Sequence, residues 1–186
     1  MRIITGKFKG RNLFTVSGKS TRPTSSYHRA MIFNVYGDFE GKRVLDLYSG
    51  TGSLALEALS RGATWADMVE FAAPAVATIL KNIELLGCGE SCHVWRKRVD
   101  SFLKKTEGRW DLIFLDPPYD KGLLNPSLDL IFERGLLKPG GVVIAEHSTG
   151  EQVSVKYAAH RLGYKDGSTV CVTILAARPS ETEAQE

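Results

Sequence analysis

The stretch "KRVLDLYSGTGSLALEALSRG", residues 42–62, decides the fold. Its first half is an apolar run of strand length, Val44, Leu45 and Leu47 around a single Asp46, which stops at a Gly-Thr-Gly turn. Its second half sets Leu54, Leu56, Ala58 and Leu59 on a largely apolar helix closed by Gly62. A buried strand that turns sharply into a helix is the opening unit of a parallel sheet, because parallel neighbours require a crossover connection. Gly50 and Gly52 fall in the turn, where the missing β-carbon permits a tight bend and lets a ligand approach the backbone.

Working outward, strand and helix signals keep alternating. "WADMVEF" (65–71) reads as the next strand, and "PAVATILKNIELLG" (74–87) as the next helix, with Pro74 at its start and Gly87 at its end. "CHVWRKR" (92–98), "DLIFLD" (111–116) and "GVVIAEH" (141–147) supply three further strands. Between them lie a short helix in "DSFLKK" (100–105) and a longer one in "LLNPSLDLIFERGLL" (123–137). The stretch 156–178 breaks the alternation with two strand-like runs around a Gly-rich turn, which predicts an antiparallel pair at the sheet edge. The fold class is therefore α/β: a Rossmann-like, doubly wound, mostly parallel seven-stranded sheet with an antiparallel edge strand. A short basic strand pair is expected at the N-terminus.

With 186 residues, 43% of them hydrophobic, the chain fits a single domain, assigned to 1–178, with a frayed polar tail at 179–186. The opening residues are too polar for a signal peptide, and no apolar run approaches the roughly 18 residues of a membrane span, so a cytoplasmic monomer without membrane contact is expected. Cys88, Cys92 and Cys171 form neither a CxxC pair nor an even disulfide set, and the four histidines add no ligand spacing, so no metal is expected. The net charge of +3 is unevenly spread: residues 1–30 hold seven basic groups and no acid. That block, with Phe8, Phe14 and three glycines interleaved, suits a phosphate-tracking surface, and a merely solvated basic strand pair is the plain alternative.

Ligands of a doubly wound sheet bind outside the carboxyl ends of its strands. The first end offers Asp46, Tyr48, Gly50 and Gly52; the second ends in Glu70, placed to accept hydrogen bonds from both hydroxyls of a ribose. "GTGSLA" also fits the weak G-x-G-x-x-A pattern of a dinucleotide site, but Asp46 would then face a pyrophosphate. A carboxylate there suits a cationic tail, and S-adenosylmethionine carries an ammonium and a sulfonium. At the third strand end, Asp100 and Ser101 can meet an adenine amino group and ring nitrogen, although Asp100 can equally cap the short helix.

The fourth strand ends in "DPPY", residues 116–119. Two successive prolines hold the residues after Asp116 extended and rigid. Asp116 and the Pro117 carbonyl are then placed to receive the in-plane hydrogens of an amine, with Pro118 stiffening the loop and Tyr119 stacking on the attached base, a contact worth roughly 1 to 3 kcal/mol. The plain alternative is a proline-rich turn leaving a strand.

"DLYSGTGSLALEALSRGA", the "VE" at 69–70 and "DPPY" resemble Class I S-adenosylmethionine-dependent methyltransferases, in which D/N-P-P-Y/F marks methylation of planar exocyclic nitrogens. "RIITGKFKGRNLF" followed by "TRPTSSYHRAMIFNVY" is similar to the RsmD-type 16S rRNA (guanine(966)-N2)-methyltransferases, and the resemblance spans nearly the whole chain. Arg22, Pro23, Thr24, Arg29, Phe33 and Asn34 fit that family's second motif. The chain departs from it at Ser25, Ser26 and Tyr27, where the family has Thr-Asp-Arg, and at Ala30 and Ala72, which stand where acids are usual.

The resemblance implies roles. Gly50, Gly52 and Tyr48 cradle the methionine part with Asp46 near its ammonium, Glu70 holds the ribose, Phe71 packs near adenine, and Asp100 and Ser101 meet the adenine edge. Asp116, Pro117, Pro118 and Tyr119 hold a guanine amine for direct methyl transfer, with the base unpaired or flipped out. Arg2, Lys7, Lys9, Arg11, Arg22 and Arg29 grip phosphates of 16S rRNA, free or in an assembling 30S particle. An adenine-N6 DNA methyltransferase, a protein glutamine-N5 methyltransferase and a non-catalytic RNA-binding module are the alternatives.

Overall fold

Residues 43–47 form the strand about which the molecule is organised, because their side chains alternate between two apolar layers: Val44 joins one core, Leu45 and Leu47 the other. The computed structural model describes residues 1–16, 26–167 and 169–177. In chain order these form α1 (Ser26–Val35), β1 (Arg43–Leu47), α2 (Ser53–Ser60), β2 (Trp65–Glu70), α3 (Ala73–Leu86), β3 (Cys92–Arg96), α4 (Val99–Leu103), β4 (Trp110–Leu115), α5 (Leu124–Glu133), β5 (Leu137–Ser148), β6 (Arg161–Lys165) and β7 (Val170–Ala176). The sheet order is β3-β2-β1-β4-β5-β7-β6, with β1 to β5 parallel and β7 antiparallel to both of its neighbours. The order reverses between β1 and β4, which makes their carboxyl ends the topological switch point.

The α/β reading of the sequence holds, with four refinements. The antiparallel strand is β7, inserted one place in from the edge, and "KYAAH" opens with a 3-10 turn over Val155–His160 rather than a strand. β5 begins earlier than its apolar run, at Leu137; a β-carbon on Gly141 would meet the carbonyls of Lys138, Trp110 and Asp111 within 3.2 Å, so only glycine lets β5 lie this close to β4. The expected N-terminal strand pair is a tight loop closed by one antiparallel bridge, Arg2 to Asn12. The expected frayed tail, 179–186, lies outside the described residues.

Each sheet face has its own apolar core. One gathers Phe33, Leu56, Met68, Ile79, Phe114 and Ile144, and the other Leu45, Ile113, Leu115, Leu128 and Val143. Full burial of such side chains contributes about 1.5 to 3 kcal/mol each. Ile3 and Leu13 are buried in the first core, so the N-terminal loop is part of the domain. On the other face, all three tryptophans of the chain donate to one buried carboxylate: the indole nitrogens of Trp65, Trp95 and Trp110 lie 3.0, 3.0 and 2.8 Å from Asp67. Arg43 adds a fourth donor at 3.3 Å, which is how a carboxylate survives burial there.

Candidate functional site

The strand register brings the expected residues to one level. Leu47 is opposite Val69 on β2 and Leu115 on β4, and Leu115 is opposite Ala145 on β5. One residue further along, Tyr48, Glu70, Asp116 and Glu146 therefore emerge together at the carboxyl edge, with Arg96 paired to Glu70.

The turn after β1 is built from backbone in left-handed angles: φ is +61° at Tyr48, +56° at Gly50 and +76° at Gly52. A β-carbon on Gly52 would lie 3.1 Å from the Met68 sulfur, so this glycine is fixed by packing as well as by angle. Around Gly50 only the Tyr48 carbonyl comes within 4.0 Å of such a carbon, which leaves open space on the side a ligand would take. The Tyr48 hydroxyl shares a hydrogen bond of 3.1 Å with Ser127 on α5, and the Ser49 amide donates to the Val69 carbonyl, tying the turn to its neighbours.

Asp46 is buried beneath this turn, 1% exposed, and accepts a hydrogen bond of 3.2 Å from the Ala55 amide in the first turn of α2. It thereby satisfies one of the orphan donors of the helix N-terminus. Burial pushes its carboxyl up to about 7, against the Ala55 amide, which lowers it, and with the charge of Glu70, which adds to the rise. Glu70 accepts from the Gly50 amide at 3.0 Å with one oxygen and from the Phe71 and Ala72 amides at 2.7 and 2.8 Å with the other. Phe71 is 62% exposed beside it. Asp100 lies in the first turn of α4, half-exposed and paired with Arg98 at 3.2 Å, and Ser101 is exposed next to it. These residues fit a nucleoside with a cationic tail: a backbone cradle, a carboxylate behind it, and two further carboxylates at successive strand ends.

Across the switch point, Asp116 is partly buried at the end of β4, Pro117 is buried and Pro118 exposed. The loop is latched to β5 twice. Tyr119 donates its hydroxyl to Glu146 at 2.5 Å, and Ser148 donates to Asp120 at 2.8 Å, with Asp120 itself in the left-handed region at φ +57°. Glu146 is 1% exposed, so one end of the Tyr119 ring is anchored to a buried group.

The basic N-terminus lies along α2. Buried Glu57 accepts from the Ile4 and Thr5 amides at 2.7 and 3.0 Å, Ser60 accepts from the Phe8 amide at 2.9 Å, and Lys7 donates its amide to the Ser60 carbonyl at 2.8 Å. A β-carbon on Gly6 would fall 1.7 Å from the Ser60 carbonyl oxygen. Arg2, Lys7, Lys9 and Arg11 are exposed. The loop tip with Lys7 is held at the C-terminal end of the eight-residue α2, about 12 Å along the helix from Gly52.

One expectation fails. Arg29 is 1% exposed, donates to the Arg2 carbonyl at 3.1 Å and is drawn by the charge of buried Glu57, so it faces inward and does not join the exposed basic surface. Desolvation holds its guanidinium below the usual arginine range, against the pull of Glu57. Arg22 lies outside the described residues.

The family described as Conserved hypothetical protein 95 matches residues 1–174. The chain belongs to this family. It is a member of the RsmD-type branch of the Class I methyltransferases, as the motifs indicated. A protein of Bacillus subtilis (strain 168) named as a candidate rRNA methyltransferase, YlbH, is 40% identical over 151 residues, covering 79% of this chain and 82% of that protein. The ribosomal RNA small subunit methyltransferase D of Buchnera aphidicola subsp. Baizongia pistaciae (strain Bp) is 33% identical over 148 residues, covering 78% of this chain and 75% of its own. Among solved structures, a candidate methyltransferase of Escherichia coli, yhhF, superposes with a TM-score of 0.84 at 28% identity, over 97% of this chain and 99% of its own. Membership in a methyltransferase family implies use of S-adenosylmethionine. Among the described residues there is no cluster of three metal-ligating side chains and no helix long and apolar enough to cross a membrane.

Several residues that hold these loops carry no motif in the sequence; of them only Glu146 stands out there, as an acid at the end of the fifth strand that is either structural or substrate-facing. Asn82, Glu57 and Ser60 anchor the basic loop, and Glu146 and Ser148 anchor the "DPPY" loop. A signal existed for Asn82: it occupies the buried stripe of α3 with Ala75, Thr78, Ile79 and Leu86, and a polar residue on an apolar stripe needs partners from elsewhere.

Proposed function

We propose that this protein methylates the exocyclic N2 of a guanine in 16S rRNA, using S-adenosylmethionine as methyl donor. The observation that carries the reading is the shared level of Glu70 and Asp116 on either side of the switch point, with the Gly50–Gly52 turn between them. The donor supplies a methyl group already activated on its sulfonium, so no metal is required.

In this reading Gly50 and Gly52 admit the methionine part close to the backbone, and Asp46 behind the turn offsets its ammonium. Glu70 turns its oxygens from backbone amides toward the ribose hydroxyls, Phe71 covers the adenine, and Asp100 and Ser101 meet the adenine edge. Asp116 and the Pro117 carbonyl accept the guanine hydrogens; a carboxylate is acceptor-only, so its two oxygens can take N1–H and N2–H together. Tyr119, stacked on the base and tied to Glu146, holds the amine in line with the methyl carbon, a positioning effect that can reach about 7 to 11 kcal/mol. Asp116 is the acceptor for the departing proton. Arg2, Lys7, Lys9 and Arg11 contact rRNA phosphates along α2, with Arg22 assigned to the same surface from its motif alone.

The deciding experiment is transfer of labelled methyl to 16S rRNA, free and in 30S particles lacking the modification, with nucleoside mass spectrometry of the product. N2-methylguanosine is expected. Absence of label in both RNAs, with donor binding verified, removes rRNA as the substrate and directs attention to DNA and protein amides.

A further inference from the structure

The residue joining the basic loop to the turn after β1 has no place in the chemistry above. Asn82, on α3, is fully buried. Its carbonyl oxygen accepts from the Phe14 amide at 2.7 Å, and its amide nitrogen donates to the Phe14 carbonyl at 3.2 Å and to the Thr51 carbonyl at 3.0 Å. One side chain thus holds both backbone groups of Phe14, as a neighbouring strand would, and spends its remaining N–H on the residue between Gly50 and Gly52. The Thr51–Gly52 peptide is pinned from its other end as well, since the Gly52 amide donates to the Ser49 carbonyl at 2.7 Å. Rotation of that peptide plane breaks either the Ser49 or the Asn82 bond. A second contact runs the same way: the Thr51 hydroxyl lies 3.7 Å from the Met1 sulfur. Phe14 is 52% exposed and lies three residues from exposed Arg11, at the end of the loop that carries the basic residues.

We infer that Asn82 is a positioning residue that couples the rRNA-gripping loop to the cofactor turn, so that RNA bound to one tightens the methyl donor on the other. The inference rests on the rRNA reading proposed above. Coupling of this kind is reciprocal: ordering Phe14 with RNA removes part of the cost of ordering Thr51 for the cofactor, and the reverse. An asparagine is needed because both senses of hydrogen bond are used at once. Aspartate keeps the shape and accepts the Phe14 amide, but as a carboxylate it donates to neither carbonyl and, if protonated by burial, to only one of the two.

The test measures affinity for S-adenosylhomocysteine, which cannot react, on the full chain with and without unmodified 16S rRNA. In the wild type, RNA is expected to tighten binding by about 10-fold, within the usual range of coupled sites. In Asn82→Asp the gain, taken as the ratio of that variant's own affinities with and without RNA, should fall below about 2-fold. A gain undiminished in Asn82→Asp, or absent in the wild type, overturns the inference. Hydrogen exchange on the wild type covers the case of a poorly folded variant: S-adenosylhomocysteine alone should slow exchange at the Phe14 amide, and unchanged exchange there counts against coupling. Methyl transfer measured on the same wild-type sample separates the failures. Transfer without coupling removes the role of Asn82 alone, and no transfer removes the rRNA reading beneath it.

Discussion

On the β1–β2 side of the switch point the site is made of backbone: Tyr48, Gly50 and Gly52 in left-handed angles, with Glu70 gripping the Gly50, Phe71 and Ala72 amides. On the β4–β5 side it is made of side chains, with Tyr119 and Asp120 fastened to Glu146 and Ser148 across two neighbouring strands. The first kind of construction tolerates almost no added atoms but is indifferent to most side-chain chemistry. The second depends on which groups donate and which accept. A binding surface for a fixed cofactor and one for a base that must enter and leave can be expected to differ in this way.

The sharpest test of that division is Asp116→Ala. It should lower methyl transfer at least about 10²-fold, the scale of losing a group that acts in the transition state, with donor affinity nearly unchanged. Loss of both together would merge the two halves. Gly52→Ala should do the opposite, weakening donor binding about 10-fold or more through a strained φ and the close Met68 sulfur, and lowering stability by about 1 to 3 kcal/mol, read by calorimetric titration and denaturant melts. Glu146→Ala should reduce kcat by roughly 5- to 10-fold, about the worth of one hydrogen bond, and Glu146→Gln, which keeps an acceptor for the Tyr119 hydroxyl, should restore much of it. An equal loss in both variants would mean that the charge, rather than the anchor, matters.

The smallest expected effect is on pH. The Asp46 carboxyl is raised from 3.8 to about 7, so the folded chain holds a proton there that the unfolded chain has lost. That contribution to stability is full below the unfolded value and disappears as pH rises through about 7. A cationic ligand tail favours the ionised form, so donor affinity should rise with pH across the same window, and binding near pH 6 should release a fraction of a proton. Titration calorimetry in buffers of different ionisation enthalpy measures that release. Binding without proton release would separate Asp46 from the ligand.

Much of this was legible because local signals and tertiary demands agreed. The glycines after β1, the acid ending β2 and the "DPPY" after β4 are short-range patterns, and the parallel sheet lines them up. α1 was missed because Met31, Ile32 and Phe33 run consecutively beside a basic block, without the spaced apolar stripe that marks a helix. Arg29 reads as a phosphate contact because charge is ordinarily solvated, and its burial, with the Arg2 carbonyl as acceptor and the charge of Glu57 nearby, joins positions far apart in the sequence. The Tyr119–Glu146 anchor joins residues 27 apart whose meeting is fixed only by the β4–β5 register.

The convergence of Trp65, Trp95 and Trp110 on Asp67 has a consequence for the optics of the protein. Every indole in the chain reports from one microenvironment, shared by β2, β3 and β4 around Asp67, and none stands among the residues of the site. Tryptophan emission should therefore shift as a single band when that corner opens and stay silent while β6 and β7 fray. A melt followed by fluorescence and one followed by circular dichroism would coincide only if the sheet comes apart as a single unit.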